Sequence, residues 1–166
     1  RGFFTEENFR PEEDLTVDEA IWLMSRLFKV ETIGPEVPID PQPAESGRLI
    51  TRAEFAQLLV AAKQQIDPEW TPYCEPGIGS KQSEATGSQH YTDLQPGTPV
   101  SMLAETLYKH RIDTRTWAGP PPRSPDGLLF HPNAPITRAD AAQALWLADR
   151  PVALRFDCRT RRNKFP

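Results

Sequence analysis

The sequence predicts a mainly α-helical repeat domain with long proline-rich connections, and three observations lead there. Apolar residues fall at helical spacing in four stretches, and the pentapeptide ITRAE at Ile50 to Glu54 returns as ITRAD at Ile136 to Asp140, with a weaker LTVDE at Leu15 to Glu19. The 18 prolines of the 166 residues collect between the helical stretches, at roughly twice the ordinary share of about 5%. Such a chain folds as short helices joined by stiffened connections.

In order, Thr16 to Lys29 carries Ala20, Leu23, Met24, Leu27 and Phe28 on one helical face, and Thr51 to Gln65 carries Phe55, Leu58, Leu59 and Ala62. Pro99 to Arg111 groups Leu103, Leu107 and Tyr108. Its leading proline suits a first helical turn, where the missing N–H has no partner to lose. Thr137 to Ala148 presents Ala141, Ala144, Leu145 and Ala148. Short extended pieces around Leu128 to Phe130 are expected to pair, and no strand signal exceeds about five residues. Residues 9–65 and 91–149 read as two units of one repeat domain spanning 1–149, with 66–90 as a loop insertion and 150–166 as a basic tail.

The repeated motif has a local physical meaning. Thr16 with Glu19, Thr51 with Glu54 and Thr137 with Asp140 match or approximate the capping box, in which the threonine side chain and the acid satisfy opposite orphan N–H groups of a helix start. Ile50 and Ile136 stand at the staple position, facing Phe55 and Ala141. Capping leaves Arg52 and Arg138 unexplained, because a cation in the first turn opposes the helix dipole. A repeated arginine there serves either as an ion-pair partner of another unit or, with the helix-start N–H groups, as a fork for an anionic ligand.

Composition bounds the rest. Apolar content of 38% and charged content of 25% exclude a disordered chain. The longest apolar runs, Ala20 to Met24 and Leu58 to Ala62, fall far short of the ~20 residues of a membrane span. The chain opens at Arg1 without a signal peptide, which fits a processed export product or a piece of a longer one. Net charge is -4, yet Arg150 to Pro166 holds six basic residues and one acid. That tail suits a solvated end, or contact with an anionic polymer or acidic neighbour, and no aromatic signature of nucleic-acid binding accompanies it.

Cys74 and Cys158 either close one long loop as a disulfide or remain free thiols. His90, His110 and His131 lack metal-site spacing, and neither a nucleophile elbow nor a glycine-rich phosphate loop is present. The expectation is a non-enzyme without cofactor or metal. Trp22 and Trp146, on helices, are expected in the core or an interface, whereas Trp70 and Trp117, in proline-rich loops, are placed to touch a ligand or partner.

FHPNAPITRADAAQAL at Phe130 to Leu145 resembles the end of an S-layer homology (SLH) repeat, with its F-x-P, short spacer and ITRAE-type helix start. YTDLQPGTPVSMLAETLYKHRI at Tyr91 to Ile112 is similar to the opening segment and first helix of that family, without its usual tryptophan near Pro99 to Ser101. The resemblance extends over Ile50 to Lys63 and, more loosely, over Phe9 to Phe28, where Val17 stands in place of the arginine. It implies an SLH-like helical prism whose grooves bind anionic or pyruvylated cell-wall polysaccharide or peptidoglycan, anchoring an exported protein noncovalently at an extracellular, cell-surface or periplasmic location. Thr51, Arg52, Glu54, Thr137, Arg138 and Asp140 match the motif positions, and Trp70 and Trp117 are candidate sugar contacts. The alternative is a structural or accessory subunit that uses the same scaffold to hold neighbouring protein subunits in an envelope assembly.

Overall fold

A computed structural model describes residues 9–30, 47–67, 70, 90–112, 114, 117 and 128–149. These form four packed helices: α1 (Val17–Phe28), α2 (Arg52–Ile66), α3 (Pro99–Lys109) and α4 (Arg138–Asp149). The architecture is mainly α, with four isolated bridges and no sheet among the described residues. Every helix predicted from periodicity is present within two residues of its expected ends. Cys74, Cys158, most of the 66–90 insertion and the basic tail lie outside the described residues.

Each helix begins where its cap dictates. Thr16 and Thr51 sit in extended backbone and close full capping boxes with Glu19 and Glu54. The Thr51 N–H donates to Glu54 Oε2 at 2.9 Å, and the Glu54 N–H donates back to Thr51 Oγ1 at 3.3 Å. Thr137 Oγ1 accepts from the Asp140 N–H at 3.2 Å. Thr98 caps α3, with Pro99 in the first turn as expected. Replacing Thr51 by Ala is expected to cost about 1 kcal/mol, read as a lower chemical-denaturation midpoint.

The three motif copies meet in the middle of the molecule. The Leu15 N–H donates to Ile136 O at 2.8 Å, the Ile136 N–H to Ile50 O at 3.3 Å, and the Ile50 N–H to Leu15 O at 3.0 Å, closing a ring of three hydrogen bonds. Antiparallel bridges Asp14–Thr137, Thr16–Leu49 and Thr51–Pro135 repeat the same pairing between successive copies. The three ring side chains are 0% exposed. The alternation of strand-like backbone turns them to one centre, where they join Phe55, Leu59, Ala141 and Phe130 in a single core. Helices α1, α2 and α4 radiate from this ring and touch one another, while α3 packs on α2.

Two expected faces differ from the fold. Helical spacing groups Tyr108 with Leu103 and Leu107, yet α3 buries Ser101, Ala104, Glu105, Thr106 and Leu107 and leaves Tyr108 exposed. The cause is Glu105, a polar residue held inward by the His90 N–H at 3.1 Å and Nδ1 at 2.7 Å, while Tyr108 stacks over the His90 ring at 3.8 Å. On α1, Leu27 is exposed rather than packed in the core, because it borders an open groove between α1 and α4.

His110 caps the C-terminal end of α3 and lies 4.3 Å from the Trp70 ring. Burial pushes its imidazole down from the ordinary value to about 4, with Asp67 opposing and Lys63 and Lys109 assisting. The folded state thus favours the neutral ring, and the stability it confers is complete above pH 6.5 and lost as pH falls toward about 4. Thermal melts at pH 7.5 and pH 5 should differ by roughly 1–2 kcal/mol from this group, and His110→Gln should flatten that slope.

Candidate functional site

The candidate site is the junction between motif copies, built by the F-x-P turns and the helix starts. In both full copies the middle residue is left-handed, Arg10 at φ 39° and His131 at φ 56°. The turn closes through Glu13 N–H to Arg10 O at 3.1 Å and Ala134 N–H to His131 O at 3.0 Å. Asp93 fixes the second turn, its carboxylate accepting from the Phe130 and His131 N–H groups at 2.8 and 2.6 Å.

Each turn then serves a helix of another copy. The Arg138 and Ala139 N–H groups donate to Glu13 O and Pro11 O at 2.8 and 3.0 Å, and the Arg52 and Ala53 N–H groups donate to Ala134 O and Pro132 O at 2.9 and 3.1 Å. At the degenerate start, Val17 N–H donates to Arg48 O at 2.9 Å. This corrects the expectation that helix starts offer free donors to an anion. The first-turn N–H groups of α2 and α4 already bond to a neighbouring copy's turn, with the capping threonine taking the third.

The arginines follow the same rotation. Arg138 spans from α4 to the first copy, donating to Glu13 Oε2 at 2.7 Å, Glu19 Oε1 at 2.6 Å and Phe9 O at 3.4 Å. Arg52 spans from α2 to the third copy, donating to Phe130 O at 3.2 Å and to Trp117 O. It is 5% exposed. Burial lowers its pKa, opposed by the charges of Asp140 and Asp93. Burial likewise raises the Asp140 carboxyl, against the Thr137 hydrogen bond and Arg52. Where Val17 removes the cation from the remaining junction, Arg48 meets Glu54 at 2.8 Å instead. Burial pushes Glu54 up, but bonds from Thr51 and Arg48 hold it below its ordinary value.

Arg52 and Arg138 are therefore inter-copy fastenings, whereas Thr51 with Glu54 and Thr137 with Asp140 cap the helices of their own copies. Trp70 and Trp117, expected at the surface, are instead buried, 3% and 2% exposed. Both are packed against rings, Trp117 edge-on to Phe55 at 5.8 Å and Trp70 beside His110. Both rings belong to the core, which gains from burying so large an apolar surface. Trp22 is half-buried with Arg26 over its ring at 5.8 Å, and Trp146 is 55% exposed. Sequence reasoning missed Glu13, Arg48, Asp93 and the Trp146 groove. Glu13 and Arg48 share a signal, lying three residues before their capping threonines.

No cluster of three or more His, Cys, Asp or Glu among the described residues has a metal-holding arrangement, and no helix there is long and apolar enough to cross a membrane. The fold and its junctions thus define a helical module of interlocked, repeated helix starts. Residues 124–142, which hold the second F-x-P turn and the start of α4, match the model of the S-layer homology domain. The match is short and consistent with a partial or degenerate S-layer homology repeat, and S-layer homology domains are non-catalytic anchoring modules of the cell envelope. No curated protein and no solved structure matches the chain.

Proposed function

We propose that the chain is a noncovalent cell-envelope anchoring module whose ligand is cell-wall polysaccharide or peptidoglycan. The observation that carries this reading is the closed ring of three capped helix starts, in which the segment matching the S-layer homology domain supplies one start and two further copies of its motif supply the others. In this reading Thr51, Arg52, Glu54, Thr137, Arg138 and Asp140 shape the clefts between copies and the buried Trp117 backs the Arg52 junction, while Trp70 packs away from them, beside His110 and Lys63 at the C-terminal ends of α3 and α2. Polymer contact falls to the cleft rims, where the outer edges of the Arg48–Glu54 and Arg138–Glu13 pairs meet solvent. An extracellular or periplasmic setting follows from the same ligand class. The division into units at 9–65 and 91–149 is retained as part of the proposal, with the ring as the place where they close on each other.

The test is cosedimentation of the native chain with purified sacculi, before and after chemical removal of their secondary polysaccharide. Saturable pelleting that soluble wall fragments compete away is the expected result. Pelleting lost on stripping assigns the polysaccharide, and pelleting retained assigns peptidoglycan. A native chain that stays in the supernatant with both preparations sinks the reading. The accessory-subunit reading is favoured by a separate observation, the apolar groove between α1 and α4.

A further inference from the structure

The C-terminal ends of α1, α2 and α3 meet in a cluster of their own, away from the ring that holds the helix starts. Lys63, in the last turn of α2, places its ammonium 5.3 Å from the Phe28 ring at the end of α1 and 5.8 Å from the Trp70 ring. His110, at the end of α3, lies against the same indole at 4.3 Å. The Asp67 N–H donates to Lys63 O at 2.9 Å and the Trp70 N–H to Asp67 O at 2.8 Å, so a short turn carries the indole back onto α2. Lys63 and Trp70 are 9% and 3% exposed.

Trp70 thus has one cation and one imidazole against its ring. A positive charge on that imidazole is opposed first by burial and then by Lys63 of α2 and Lys109 of α3, while Asp67 of α2 favours it. Phe28 and Trp70 bring no charge. The indole face attracts a cation, yet the imidazole is still held at about 4 against its ordinary 6.5. A charged His110 is therefore better accommodated with the indole turned out and water let in.

We propose that His110, Trp70 and Lys63 form an acid-released latch, closed at neutral pH over the shared end of α1, α2 and α3 and opened by a proton on His110. In the closed state the neutral ring packs on Trp70. In the open state the turn from Asp67 to Trp70 leaves α2, while the helix starts stay fastened in the ring. The distance from 6.5 to about 4 sets the gain, a rise of about 30-fold in the open form relative to the closed between pH 7.5 and pH 5. The latch lies at the opposite end of α2 from the junctions assigned to wall contact, so either proposal can fail while the other holds.

Hydrogen exchange on the full chain, corrected for the pH dependence of intrinsic exchange, reads this opening amide by amide. The Trp70 amide, bonded to Asp67 O, should lose protection by about 30-fold between pH 7.5 and pH 5. At both pH values it should be at least about tenfold less protected than the Ile50 amide, which bonds to Leu15 O within the ring and opens only with the whole fold. In His110→Gln the acid-induced loss should shrink to under about threefold. Lys63→Met, which keeps the packing and removes one opposing cation, should also reduce it. Unchanged Trp70 protection between the two pH values overturns the latch. So does an undiminished loss in His110→Gln, or in Lys63→Met should the first variant not fold. Equal protection of the Trp70 and Ile50 amides overturns it as well, because Trp70 would then open only by global unfolding.

Discussion

Replacing any one of Leu15, Ile50 or Ile136 by alanine is expected to destabilise the fold by about 2–5 kcal/mol, with a fall in melting temperature on the order of 10 °C. Each side chain is fully buried at the point where the three copies meet, and each backbone both donates to and accepts from another ring member. A truncated side chain leaves a cavity that the surrounding helices cannot close, because the hydrogen-bonded ring holds their starts at fixed separations. The Ile50 substitution should cost at least as much as the other two, since α3 and Phe55 add to the packing on its copy. Leu49→Ala is the control: Leu49 neighbours Ile50 in sequence but is exposed, so the change should stay within about 0.5 kcal/mol. Equal effects at Leu49 and Ile50, measured by thermal and urea unfolding, would mean that the ring does not organise the core.

The second large effect is expected at Arg138. Its guanidinium joins two carboxylates, and the Glu19 pair is nearly closed to water, with side-chain exposures of 13% and 10%. Arg138→Met removes the cation and leaves Glu19 partly buried without its partner, a change expected to cost about 3 kcal/mol or more. Glu13, on the exposed side of the bridge, should matter less. Glu19→Gln combined with Arg138→Met should recover part of the loss, because the stranded charge is gone. A double-mutant cycle reads this directly. Strictly additive losses would show that the bridge does not fasten the third copy to the first. At Arg52 the guanidinium instead reaches two main-chain carbonyls, so Arg52→Lys should be poorly tolerated, since an ammonium lacks the planar fork that spans them.

Much of this fold is legible in the sequence because its signals are local. The threonine and the acid three residues later mark helix starts almost to the residue, and Pro99 confirms a third kind of start. What the sequence did not expose is the rotation that brings the copies together. Arg138 lies more than a hundred residues from Glu13 and Glu19 in sequence, and nothing in a pentapeptide says which neighbour it will meet. The same blindness misplaced the tryptophans. Loop position suggested exposure for Trp70 and Trp117, but both are buried, Trp117 against Phe55 and Trp70 beside His110, because so large an apolar surface gains more from burial than from solvent. Trp146 keeps its helical place and is exposed there. Arg48 shows a limit of a different kind: it stands outside the motif, yet meets the acid that Val17 leaves without a motif arginine.

The ring also governs how the module would respond to a pull. The first and third copies are joined directly, through the Leu15–Ile136 bond, the Pro11 and Glu13 carbonyls over the start of α4, and the Arg138 bridges. Tension applied between residues 9 and 149 peels these links in turn, from Ala139–Pro11 through Arg138–Glu13 to Leu15–Ile136, because the paired segments run antiparallel and both pulled ends leave from the same side. The chain between the two copies is shielded from most of that tension until the first and third copies part. A fastening of this geometry yields from its outer end, and the Leu15–Ile136 bond of the buried ring is the last of these backbone links to open.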